Sequence, residues 1–101
     1  MQEINETGLN LDQLIIQLAD YLMSQDKMLI TAESCTGGMI GASCTQLAGS
    51  SAWFFGGLIS YDNLAKERML KVRSNSLQEF GAVSAEVVGQ MCAGALNYGA
   101  D

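Results

Sequence analysis

The 101-residue chain has no histidine, no proline and only 5 basic residues. Without an imidazole, Ser-His and Cys-His catalysis are excluded, together with most transition-metal sites. Any general base must then be Lys, Asp, Glu, Tyr or water. Against 11 acidic residues the few bases leave a net charge of −6, the wrong sign for a protein that grips a phosphate backbone, so a nucleic-acid-binding arm is excluded. Cysteine is scarce as well. Cys35, Cys44 and Cys92 are odd in number and lack C-x-x-C spacing, which argues against a disulfide framework and a zinc site. Cys44 and Cys92 are expected to be small buried hydrophobes. No apolar run approaches the roughly 20 residues of a membrane helix. The acidic start, Met1 to Glu6, lacks the basic segment of a secretory signal, so a cytoplasmic location is expected.

What is present is the composition of a packed domain: 49% hydrophobic residues and 16% charged, too apolar for disorder. The length supports one hydrophobic core. Residues 1–9 read as a polar, flexible N-terminus and 10–101 as a single domain, without repeat, low-complexity tract or proline-rich linker. Leu11, Leu14, Ile15, Leu18, Ala19 and Leu22 recur on one face of a helix. Asn10 is placed as its N-cap, Gln13 completes a capping box, Leu9 and Leu14 form a hydrophobic staple, and the end falls near Gln25 and Asp26. Met28 to Ala32 is a short apolar run, as expected of a strand buried on both faces. Small residues then dominate a closely packed helix from Met39 to Leu47, ended by the loop Ala48 to Ser51. Trp53 to Tyr61 reads as a second strand, with Gly56 and Gly57 marking a bulge or a close backbone approach. Asp62 caps a helix over 63–70, the S-x-x-E box Ser76 to Glu79 opens a short helix stopped at Gly81, and Ser84 caps a longer one closed by Gly99. In that last helix Val87, Val88, Met91, Cys92, Ala95 and Leu96 share a face. Strands alternating with helices predict an α/β fold, a three-layer α/β/α sandwich. Two strands are few for helices on both faces, so the domain is expected to be incomplete.

A strand that ends in a small polar turn and feeds a glycine-containing helix sets side chains and N–H groups at the carboxyl edge of the sheet, where α/β proteins hold ligands. Ser34 stands there. The amides of Thr36, Gly37 and Gly38 are expected to be free helix-terminal donors suited to a phosphate or an oxyanion. The same segment is equally consistent with Ser34 or Thr36 capping the helix while the glycines allow close packing. Lys66, one turn into the helix after Tyr61, Asp62 and Asn63, is the most natural activating base for Ser34 in a chain without histidine, and the Tyr61 hydroxyl can relay a proton. On spacing alone, a solvated face of Lys66, Arg68 and Lys71 is favoured. Cys35 ranks behind Ser34 as a nucleophile because its side chain leaves the turn in another direction. Trp53, Phe54 and Phe55 read as core or a subunit contact, with base stacking a lesser option. Glu33 reads either as an orienter of the site or as a partner of the helix N-terminus.

Four segments in order, Ala32-Glu-Ser-Cys-Thr-Gly-Gly38, Gly49-Ser-Ser-Ala-Trp-Phe54, Gly57-Leu-Ile-Ser-Tyr-Asp-Asn63 with Ala65-Lys66, and Gly81-Ala-Val-Ser84, resemble the successive motifs of the CinA C-terminal domain family. The resemblance covers roughly residues 10–101. It implies deamidation of nicotinamide mononucleotide to nicotinic acid mononucleotide and ammonia in pyridine nucleotide recycling, with Ser34 as nucleophile and Lys66 and Tyr61 as its partners. Thr36, Gly37, Gly38 and Asn63 are then the substrate-binding positions. No cofactor or metal is needed. Family members continue past the position of Asp101 into a further strand and a T-G-x-A-G-P loop, so an incomplete domain and doubtful activity of this polypeptide are expected. From a different class comes a non-catalytic nucleotide-binding or assembly module. With little sheet to cover its helices, the chain is expected to form a homo-oligomer.

Overall fold

A computed structural model describes residues 10–99. The elements are α1 (Leu11–Ser24), β1 (Leu29–Glu33), α2 (Met39–Thr45), a 3-10 turn (Ser50–Ala52), β2 (Phe54–Ile59), α3 (Asn63–Leu70), α4 (Ser74–Phe80) and α5 (Ala85–Leu96). The expected staple partner Leu9 and the flexible segment 1–9 lie outside the described residues.

Local chemistry sets most of these boundaries. Asn10 accepts the Gln13 amide while the Gln13 side chain accepts the Asn10 amide, closing the capping box at the start of α1. The Asp62 carboxylate takes the Leu64 amide and the Ser84 hydroxyl takes the Val87 amide, so α3 and α5 also begin on side-chain caps. The S-x-x-E expectation for α4 is corrected: the helix starts at Ser74, with Arg73 as N-cap. Ser76 lies inside it, where its hydroxyl accepts from the Gln90 amide nitrogen at 2.8 Å. The Gln90 carbonyl takes the Arg73 amide at 2.9 Å, so a side chain from α5 caps α4.

β1 and β2 pair in parallel, with Thr31 opposite Gly57, Ala32 opposite Leu58 and Glu33 opposite Ile59. Phe55 is the extra residue of a bulge, since Leu29 faces Phe54 and Ile30 faces Gly56. Alternation along the strands divides the core in two. Ile30, Ala32 and Leu58 face Leu70, Val72, Leu77, Val87, Met91 and Ala95 of the α3–α5 layer. Leu29 and Phe54 face Ile15, Ala19, Leu22, Cys44 and Trp53 in the layer of α1 and α2. Each fully buried Val, Leu, Ile or Met among them gains about 1.5–3 kcal/mol from burial. The chain is therefore α/β, with helices on both faces of a small parallel sheet. Trp53 is core, 1% exposed, its ring set edge-on to Phe54.

The α5 stripe is narrower than its sequence suggests. Val87, Met91 and Ala95 are buried, whereas Val88 and Leu96 are about half exposed and Cys92 is exposed. That corrects the expectation for Cys92, while Cys44 is buried as expected. Between α3 and α5 the backbones meet at Gly94, where a Cβ would stand 2.6 Å from the Leu70 carbonyl carbon.

Candidate active site at the carboxyl edge of the sheet

The parallel pair brings both strand ends to one edge. The Glu33 carbonyl accepts the Ser60 amide at 2.8 Å and the Ser60 hydroxyl at 3.4 Å, so Ser34 lies beside the Ser60–Tyr61–Asp62 connection. Ser60 is fully buried. The sequence reading missed it, and the available signal was a small polar residue between a strand and the capping Asp62. Ser34 itself is half-buried.

Lys66 is 1% exposed, and its Nζ donates to the Tyr61 carbonyl oxygen at 2.7 Å. The solvated helix face favoured by spacing is thus corrected for this residue, although Arg68 and Lys71 are exposed. The amine reaches back over the first turn of α3 to the end of β2, the same edge that carries Ser34. Its hydrogen-bond partner is Tyr61's backbone and not Ser34. The Tyr61 side chain is 74% exposed. Asn63, the first residue of α3, is exposed, and Cys35 is an exposed free thiol.

Glu33 governs the turn between Ser34 and α2. Its side chain is 3% exposed, and Oε1 accepts the Thr36 hydroxyl at 2.7 Å, the Ile40 amide at 2.9 Å and the Gly38 amide at 3.2 Å. Oε2 accepts the Gly41 amide at 2.9 Å and the Thr31 hydroxyl at 3.5 Å. Burial on its own would raise this carboxyl's pKa. The Thr36 hydroxyl and the amides of Gly41, Ile40 and Gly38 outweigh burial and hold it below the ordinary value of 4.5. Burial, helped by the Glu33 charge, pushes the Cys44 thiol up. Of the two readings of Glu33, the contact with the helix N-terminus is formed directly, through the Gly38, Ile40 and Gly41 amides.

This arrangement changes the expected anion site. The Gly38 amide is spent on Glu33, and the Gly37 amide donates to the Ser34 carbonyl at 3.0 Å. Neither is a free donor. Gly38 also adopts φ +101, a conformation natural to glycine. The Ser34, Cys35 and Thr36 amides have no acceptor among the described residues, so they are the donors left at the turn. Among the open concavities that adjoin α2 are a cleft of about 180 Å³ bordered by Glu33, Gly38 and Ile59 and an apolar groove of about 310 Å³ bordered by Leu11, Leu18, Met39 and Ile40. Ser34 and Lys66 line neither. Among the described residues no helix is long and apolar enough to cross a membrane, and no group of three or more His, Cys, Asp or Glu residues could hold a metal ion.

Comparison with known proteins places this geometry. The CinA C-terminal domain model matches residues 11–101. A nicotinamide-nucleotide amidohydrolase PncC from Enterobacter agglomerans is 42% identical over 92 residues, which is 90% of this chain and 56% of that protein. A CinA-like protein of Leptospira borgpetersenii is 49% identical over 81 residues, 80% of this chain and 19% of that protein. Among solved structures, a competence-damaged protein (CinA) superfamily protein from Escherichia coli superposes with a TM-score of 0.90 at 29% identity, covering 98% of this chain and 58% of that one. The competence/damage inducible protein CihA from Agrobacterium tumefaciens gives 0.83 at 41% identity over 87% and 53%. The chain thus spans from a fifth to little over half of the relatives it matches. With the motifs, the fold and the family model in agreement over nearly the whole length, this chain belongs to the CinA C-terminal domain family.

Proposed function

We propose that the site is that of an amidohydrolase acting on the carboxamide of nicotinamide mononucleotide. The observation that carries the reading is the buried Lys66 amine at the strand edge that bears Ser34, in a chain 42% identical to a nicotinamide-nucleotide amidohydrolase over 90% of its length. Ser34 Oγ attacks the amide carbon as its proton passes to the Lys66 amine. The tetrahedral oxyanion is held by the Cys35 and Thr36 amides. When the C–N bond breaks, Lys66 returns the proton to the departing nitrogen and ammonia leaves. Water then attacks the Ser34 ester, Lys66 accepts its proton and passes it to Ser34 Oγ, and nicotinic acid mononucleotide is released.

In this scheme Tyr61 supports the exchange chiefly through its carbonyl, which fixes the amine. Its exposed hydroxyl and Asn63 face the side from which a nucleotide approaches. Gly37 and Gly38 shape the turn, and substrate contact there falls to Thr36. Incubation with nicotinamide mononucleotide, with ammonia as readout, tests the reading. The second reading, a nucleotide-binding or assembly module without turnover, draws on the chain's spanning 56% of the amidohydrolase. Saturable binding with no ammonia release would favour it.

A further inference from the structure

Glu33 precedes Ser34 and holds the turn from both sides. Backward, its carbonyl takes the Ser60 amide and hydroxyl, locking the end of β1 to the segment whose next carbonyl, that of Tyr61, holds Lys66. Forward, its carboxylate takes the Thr36 hydroxyl and the Gly38, Ile40 and Gly41 amides. The N-cap of α2, Gly38, has no side chain with which to cap. The capping task is carried out from five positions upstream, and the closed loop contains Ser34. Gly41 completes the fit, since a Cβ there would stand 3.5 Å from Oε2.

We propose that Glu33 is a positioning residue for Ser34: its carboxylate staples the turn so that the serine hydroxyl is presented at the edge where the Lys66 amine is anchored. This rests on the reading of Ser34 as nucleophile. A carboxylate suits the task because it is acceptor-only and can meet several donors at once, whereas a glutamine would turn an NH₂ toward one of the N–H groups. The Gly38, Ile40 and Gly41 amides are taken by Glu33 and are not available to a nucleotide phosphate.

The test is covalent labelling of the 101-residue chain with phenylmethanesulfonyl fluoride, the modified serine being located by peptide mass spectrometry and kinact separated from KI. Glu33→Gln is expected to lower kinact at Ser34 about tenfold or more, the scale of one lost charge-assisted hydrogen bond, with KI unchanged. A merely structural role would lower the folded fraction without this split. Equal kinact in wild type and variant overturns the proposal, as does wild-type labelling at Ser34 no faster than at the exposed Ser51. If Glu33→Gln does not fold, Thr36→Val decides in the same assay, because it removes only the hydroxyl donor to Oε1. A fall of about threefold or more supports the proposal, and an unchanged rate overturns it. Glu33-dependent labelling of Ser34 in a chain that releases no ammonia from nicotinamide mononucleotide supports the positioning role and defeats the deamidase reading alone.

Discussion

Lys66→Met separates catalysis from stability, because the proposed mechanism gives the two ends of this side chain different jobs. The stem lies in the interior and, among the described residues, the amine donates to the Tyr61 carbonyl at 2.7 Å. Methionine retains a flexible apolar stem, so little cavity opens. The lost hydrogen bond is worth about 0.5–3 kcal/mol depending on the amine's charge. Two effects oppose that loss: no amine needs to be kept from water, and the freed carbonyl belongs to an exposed residue that water can reach. The net change in stability is expected to stay within about 1 kcal/mol. That amounts to a shift of about 4–8 °C or less in the thermal midpoint of a domain this size. The loss of a general base costs about 10²- to 10⁴-fold in rate, or about 2.7–5.4 kcal/mol of barrier. Circular dichroism melts and ammonia release, measured on one preparation, read both. A rate within threefold of wild type would refute Lys66 as the base. A rate loss no greater than the fall in folded fraction would do the same.

The close crossing of α3 and α5 makes Gly94→Ala a destabilising change of about 1–3 kcal/mol. Its Cβ would stand 2.6 Å from the Leu70 carbonyl carbon, and a melt as high as that of wild type would show that the helices can part freely. Glu33's carboxyl is held below 4.5 in the fold. Its stabilising contribution is therefore complete above the unfolded value and is lost as pH falls through the lower folded one. The midpoint of unfolding should be independent of pH near neutrality as far as Glu33 is concerned, and drop below about pH 4.5, with part of that drop absent in Glu33→Gln, as thermal melts across a pH series would read. Large apolar side chains at Leu11, Ile16, Met39, Ile40, Phe55 and Ile59 are 45–68% exposed, and their cover is proposed to be a second copy. Light scattering should give a mass above 10.8 kDa, and a stable monomer at micromolar concentration would count against this.

What was legible in the sequence follows from how far each cause reaches. The caps at Asn10, Asp62 and Ser84 act within three residues, and they stood where the pattern put them. The strands fell within one or two residues of their expected ends, as apolar runs bounded by polar turns allow. Failures came where a distant residue decides. Ser76 satisfies the local capping pattern, yet it is taken by Gln90 from α5. Val88, Cys92 and Leu96 share the periodicity of Val87 and Met91, but the small sheet offers cover only for the narrower stripe. Lys66 is the sharpest case. Its helical spacing suits a solvated face, and only the return of α3 toward the end of β2 buries it. Glu33 was visible as an acid before the turn, but its choice among donors depends on the left-handed backbone at Gly37 and Gly38, which aims the later amides at it.

Ammonia release from nicotinamide mononucleotide by wild type and Ser34→Ala decides the proposal that Ser34, served by Lys66, hydrolyses a nucleotide carboxamide. Time-dependent ammonia is expected from wild type, none above background from Ser34→Ala, and superimposable far-ultraviolet spectra from both. Equal release from both proteins would remove Ser34 from the mechanism, and no release from a folded wild-type chain would contradict the claim for this polypeptide.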